Sequence, residues 1–155
     1  MYKEILVAVD GSDPALRALQ HASIIAGKFN SNITIVTAYY ISSITLFKLF
    51  NDDENDEFTL DETLYEEYSE HIKEAHSKVL SNAVNYVKKN HPKVKVTGKI
   101  VEGKPAVVIK NIATDVKVDL IVMGNRGVGG IKGWLLGSTS KEVVDTCKRP
   151  VLIVK

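Results

Sequence analysis

The chain predicts an α/β protein, a doubly wound, five-stranded, mostly parallel sheet with helices on both faces. Three observations predict it. Short unbroken apolar runs alternate with segments of helical hydrophobic spacing along the chain, the strand–helix alternation that builds parallel sheets. The runs at Ile5–Val9 and Leu120–Met123 carry no polar alternation, as in strands covered on both faces. Finally, glycines cluster between the run at Leu120–Met123 and the last helical segment, where such folds bind ligands.

The elements follow in order. Ile5–Val9 is the first strand, and it runs into Asp10. Ser12-Asp13-Pro14 supplies a cap and a proline at the first helical position, which starts a helix. Ala15, Ala18, Leu19, Ala22, Ile25, Ala26 and Phe29 then form its apolar stripe. Ile33–Tyr40 returns to strand chemistry, with β-branched and aromatic residues. Leu64, Tyr68, Ile72, Ala75, Val79, Ala83 and Val87 line a long amphipathic helix that stops near His91-Pro92. Val94, Val96, Gly98 and Ile100 alternate with Lys95, Thr97 and Lys99, the pattern of a half-exposed edge strand. Gly103-Lys104-Pro105 opens a third helix carrying Val108, Ile109, Ile112, Ala113 and Val116. Leu120–Met123 is the fourth strand, Ser138–Cys147 the fourth helix and Val151–Val154 the fifth strand.

Composition narrows the functional classes. The 155 residues fit one domain with a substantial core. A net charge of +1 gives no basic field for nucleic acid, and Lys88, Lys89 and Lys93 complement a helix C-terminus. The single cysteine, Cys147, forms no intrachain disulfide and no metal cluster; it follows Val143 and Val144 as a small buried hydrophobe. Met1-Tyr2-Lys3-Glu4 lacks a signal-peptide core, and no apolar run has membrane-spanning length, so no membrane association and a cytoplasmic location are expected. Residues 41–60 divide into an apolar half and an acidic half. They read either as a variable insertion in solvent or as a flap or partner-docking patch anchored by Phe47, Leu49 and Phe50. The acidic half lacks the glycine and spacing of a calcium loop.

The chemistry concentrates in the glycine stretch. Gly124-Asn125-Arg126-Gly127 is followed, after nine intervening residues, by Gly137-Ser138-Thr139-Ser140. A strand, a glycine-rich loop and a helix N-terminus make an anion site, because backbone approaches closely and unpaired N–H groups point outward. Two familiar phosphate motifs are absent. Lys28, Lys99 and Lys104 follow glycines, but none precedes Ser or Thr, and the register from Gly127 meets Lys132 where a dinucleotide motif needs glycine.

The G-x2-G-x9-G-S spacing, the acidic end of the first strand at Asp10 and the closing Arg149-Pro150-Val151 segment resemble the nucleotide-binding universal stress proteins over nearly the whole chain. That resemblance implies a Rossmann-like fold of the adenine nucleotide alpha hydrolase type with strand order 3-2-1-4-5. It implies that Ala8, Val9 and Asp10 lie against adenine and ribose and that Ala38 forms the adenine wall, where the family often has valine. Met123 would cover base or sugar. Gly124, Arg126 and Gly127 would wrap the ribose and α-phosphate, and Gly137, Ser138, Thr139 and Ser140 the outer phosphates. The implied cofactor is ATP, ADP or AMP with Mg²⁺ held on phosphate oxygens. The implied partners are a second copy, through the exposed apolar edge at Val151–Val154, and a regulatory protein.

Other roles remain open at this point. Asp10 also reads as a brace for the first helix, Arg126 as a solvent-facing loop residue and Ser138 as a helix cap. The four histidines fall on helical patterns or a helix end, which sets them away from the loop, and Ser12, Ser138 and Ser140 lack an evident base. The expectation is therefore an ATP-binding regulatory protein. A weak ATPase or phosphotransferase and a nucleotide-independent interaction module are the alternatives.

Overall fold

The computed structural model describes residues 1–42, 62–128 and 136–155. The expectations for residues 43–60, including the Phe47, Leu49 and Phe50 patch, fall outside the described residues. In chain order the elements are β1 (Glu4–Ala8), α1 (Asp13–Phe29), β2 (Asn32–Tyr39), α2 (Glu62–Asn90), β3 (Val96–Glu102), α3 (Pro105–Asp115), β4 (Leu120–Gly124), α4 (Ser138–Thr146) and β5 (Val151–Val154). All four strand pairings are parallel, in the order β3-β2-β1-β4-β5.

Alternate residues of the central strands feed two separate cores. Ile5 and Val7 of β1, Ile33 and Ile35 of β2 and Leu120 and Val122 of β4 pack with α1 and α2. Leu6, Val36, Ile121 and Met123 face the other way and pack with α3 and α4. Ile5, Leu6 and Val7 are fully buried; each such side chain contributes about 1.5–3 kcal/mol relative to exposure. That two-sided demand is why β1 and β4 read as unbroken apolar runs.

Local signals set the ends. Ser12 is the N-cap of α1, its Oγ accepting the Ala15 N–H at 3.4 Å, and Asn30 closes the helix in the left-handed region at φ 54°. β3 begins two residues later than the alternation predicts, because the Val94 N–H donates to the His91 carbonyl in a turn. The predicted stripe of α1 also overreaches. Phe29 is 47% exposed and meets Tyr2 edge-on at 5.7 Å instead of entering the core. β3 and β5 are the two edges of the sheet, and three of the four β5 residues are only partly buried.

Gly124 fixes the distance between β4 and α1. A Cβ there would come within 2.8 Å of the Pro14 backbone carbon and within 2.9 Å of the Ala15 nitrogen, and backbone cannot yield as a side-chain tip does. Gly124→Ala should therefore destabilise the fold by about 1–3 kcal/mol through overpacking. Denaturant titration reads this as a lower midpoint at unchanged slope, and an unchanged midpoint would refute the close approach.

Candidate functional site

The chain runs from central β1 outward to β2 and β3, then crosses back to β4 on the other side of β1. Strand order thus reverses between β1 and β4, where ligands of such sheets bind beyond the carboxyl ends. A crevice of about 490 Å³ opens there. The structure brings all twelve sequence-predicted residues to its walls. Ala8, Val9 and Asp10 come from the end of β1, and Ala38 from β2. Met123, Gly124, Arg126 and Gly127 come from β4 and its following loop, and Gly137, Ser138, Thr139 and Ser140 from the start of α4.

Asn125, 4% exposed, ties the β4 end to α4 and to β5. Its N–H donates to the Val154 carbonyl at 2.7 Å, and its own carbonyl accepts the Gly137 N–H at 2.7 Å and the Ser140 hydroxyl at 2.8 Å. The N-cap of α4 is Gly137, with no side-chain cap bond, so Ser138 is the first helical residue and not the cap. The Ser140 hydroxyl is turned back on the loop, donating to the Asn125 and Gly137 carbonyls. First-turn amides have no carbonyl a turn earlier to bond, and they carry the positive end of the helix dipole.

Asp10 braces the opposite wall. Its Oδ1 accepts the Ser12 N–H at 3.0 Å and the Ser12 hydroxyl at 2.6 Å, and its Oδ2 accepts the Val128 N–H at 2.9 Å. It supports the cap of α1 without being that cap. A Cβ at Gly127 would run into Oδ2, whereas a Cβ at Gly137 would meet nothing nearer than 3.4 Å. Arg126 is half-buried within the crevice wall rather than a solvent-facing loop residue. Between these polar rims lies an apolar slot built from Ala8, Val36, Ala38, Ile109 and Met123. One wall thus offers amides and a guanidinium to an anion, another a carboxylate to hydroxyls, and the slot a flat apolar surface.

His76 of α2 is the residue that sequence reasoning misplaced. It lines the crevice, half-buried, with Nδ1 2.9 Å from the Thr37 hydroxyl and its ring 5.8 Å from that of Tyr39. The signal was present in the spacing: Ile72, His76, Val79 and Ala83 are separated by four, three and four residues, which puts His76 on the apolar stripe. Burial pushes its pKa below the ordinary 6.5, and the Asp10 charge acts in the opposite direction. Among the described residues no cluster of three or more His, Cys, Asp or Glu is placed to hold a metal, and no helix is long and apolar enough to cross a membrane.

Comparison with known proteins agrees with this geometry. The model of the Universal stress protein family matches residues 1–155. A universal stress protein of Methanocaldococcus jannaschii is 36% identical over 155 residues, covering 100% of this chain and 83% of that one. Among solved structures, the universal stress protein UspA from Lactobacillus plantarum superposes with a TM-score of 0.78 at 26% identity, covering 99% of this chain and 98% of that one. A universal stress protein solved in complex with cAMP gives a TM-score of 0.67 at 29% identity, covering 99% and 97%.

The burial of His76 has a consequence for stability. The fold favours the neutral ring, so the unfolded chain takes up the extra proton first. Stability should therefore fall as pH drops below about 6.5, until the folded ring protonates too. His76→Gln should remove that part of the slope between pH 7 and 5, as measured by denaturant midpoints. An identical slope in the variant would show that His76 contributes nothing to it.

Proposed function

The chain belongs to the universal stress protein family, and we propose that it binds ATP in the crevice and acts as a nucleotide-dependent regulatory factor. The observation that carries this reading is the start of α4. Gly137 has an ordinary φ of −75°, and a Cβ there would meet its neighbours at ordinary van der Waals distance, none nearer than 3.4 Å, so neither its backbone nor its packing requires glycine. A ligand drawn up against the first-turn amides supplies the reason. The apolar slot suits an adenine ring, the remaining lone pair of Asp10 a ribose hydroxyl, and Arg126 a phosphate. The relative solved with cAMP supports an adenine nucleotide as the ligand class. Mg²⁺ then binds through phosphate oxygens, with few protein ligands.

Regulation is favoured over catalysis because the Ser140 hydroxyl donates to a backbone carbonyl and not to a base that would activate it. Gly137→Val should weaken ATP binding at least about tenfold while leaving the unfolding free energy within about 0.5 kcal/mol of wild type. Calorimetric titration of ATP, ADP and AMP measures it, and wild-type affinity in the folded variant would reject the assignment. Gly127 is a poor test position, since a side chain there displaces Asp10 whatever the ligand.

The same reading includes a homodimer through β5. Its apolar residues form a sheet edge, and a two-fold antiparallel pairing satisfies both edges together. Light scattering at micromolar concentration should give twice the chain mass, and Leu152→Pro should give the monomer. A wild-type monomer rejects the dimer, and a surviving Leu152→Pro dimer rejects this interface.

A further inference from the structure

We infer that His76 is a ligand-contacting residue at the nucleoside end of the crevice, giving a hydrogen bond from Nε2 in its neutral form, so that acid weakens nucleoside binding. The inference rests on the nucleotide reading of the same crevice and assigns to it a residue from the other helical layer.

Position carries the argument. α2 packs on the sheet face that holds Ile33 and Ile35, whereas α4 packs on the face that holds Val36 and Ile121. His76 therefore enters the crevice across the sheet end from the α4 amides, beside Asp10. A phosphate at α4 leaves the nucleoside as the part of the ligand nearest His76. Thr37 is fully buried, and its hydroxyl engages Nδ1; this fixes the ring and leaves Nε2 as the nitrogen for a partner. Its stripe position between Ile72 and Val79 needs only an apolar side chain for packing. An imidazole held there by one nitrogen at a cavity wall serves the cavity.

The charge environment sets the direction of the pH effect. Among the described residues, the groups that face His76 are Thr37 and Tyr39 from β2 and Asp10 from the β1 end, and Arg126 from the loop after β4 shares the crevice. Protonation makes Nε2 a cationic donor drawn toward the Asp10 carboxylate. A His76–Asp10 pair across the crevice occupies the polar groups that a nucleoside needs. Acid therefore opposes ligand entry, while the Arg126 guanidinium, charged throughout, does not titrate.

Adenosine is the probe, because it carries no phosphate to titrate. Its affinity for the full chain should fall about 3- to 10-fold from pH 7.5 to pH 5.5, the range one hydrogen bond supplies, with the His76 ring resonances shifting on titration by NMR. His76→Leu should bind adenosine about 3- to 10-fold more weakly at pH 7.5 with no pH dependence. His76→Gln, which keeps a hydrogen-bonding group, should bind near wild-type affinity at pH 7.5 and stay flat with pH. Suppose ATP binds the wild type and is lost in Gly137→Val, yet adenosine affinity is equal in wild type and His76→Leu at both pH values. The nucleotide reading then stands and the role of His76 is overturned. Binding of neither ATP nor adenosine to the wild type overturns both.

Discussion

The backbone of one residue sets the geometry of the carboxyl end of the sheet. Asn125 bonds β5 through its N–H and holds the start of α4 through its carbonyl, by way of both Gly137 and Ser140. Three elements are thereby referenced to one buried residue. A helix N-terminus binds an anion well only when its amides are held in place before the anion arrives. The two bonds to the Asn125 carbonyl provide that rigidity without using the helix amides that face outward. A capping hydroxyl would have taken one of those amides; glycine at the cap and a serine turned backward leave them available.

Asp10 does the corresponding work on the other rim, and the glycines divide between the two tasks. Gly124 lets α1 lie directly against β4, and Gly127 makes room for the Asp10 carboxylate that receives the Val128 N–H. Both are glycines because the folded chain itself fills the space. Gly137 is the exception, because a Cβ there would meet its neighbours only at ordinary contact distance. A spacing pattern in sequence treats the three alike, but only at the first two does the folded chain itself demand glycine.

The sequence made the strands, their order of appearance and the loop legible because these follow from one-dimensional signals. Apolar runs at Ile5 and Leu120 mark strands buried twice, Ser12 and Pro14 mark a helix start, and the lysine alternation around Val96 marks an edge. What it hid depended on three-dimensional neighbours. Phe29 fits the α1 stripe by spacing, yet it is the last residue of the helix, exposed, and meets Tyr2 edge-on. Ser138 looked like a cap because hydroxyl residues favour that position, whereas the Lys141 N–H donates to the Gly137 carbonyl and so places the cap one residue earlier. The strand order came from family resemblance, since the return from β3 across β1 to β4 leaves no local trace. His76 escaped because a histidine is scored as polar, although its spacing from Ile72 and Val79 placed it on the buried side.

In the crevice the two helical layers address a common space. Along the sheet, the cores around Ile5 and Leu6 are separated by the strands themselves. Beyond the strand ends that barrier stops, so α2 with His76 and α4 with its amides line the same cavity. A ligand filling it gains contact energy from both layers at once, and it therefore favours whichever relative arrangement of the layers suits it best. The free energy available for such a shift equals the difference in ligand affinity between arrangements and no more. Binding a small anionic ligand at a strand end is common among open α/β sheets. Here the residues around that strand end come from both faces of the sheet, so under the proposed reading occupancy bears on α2 and α4 together.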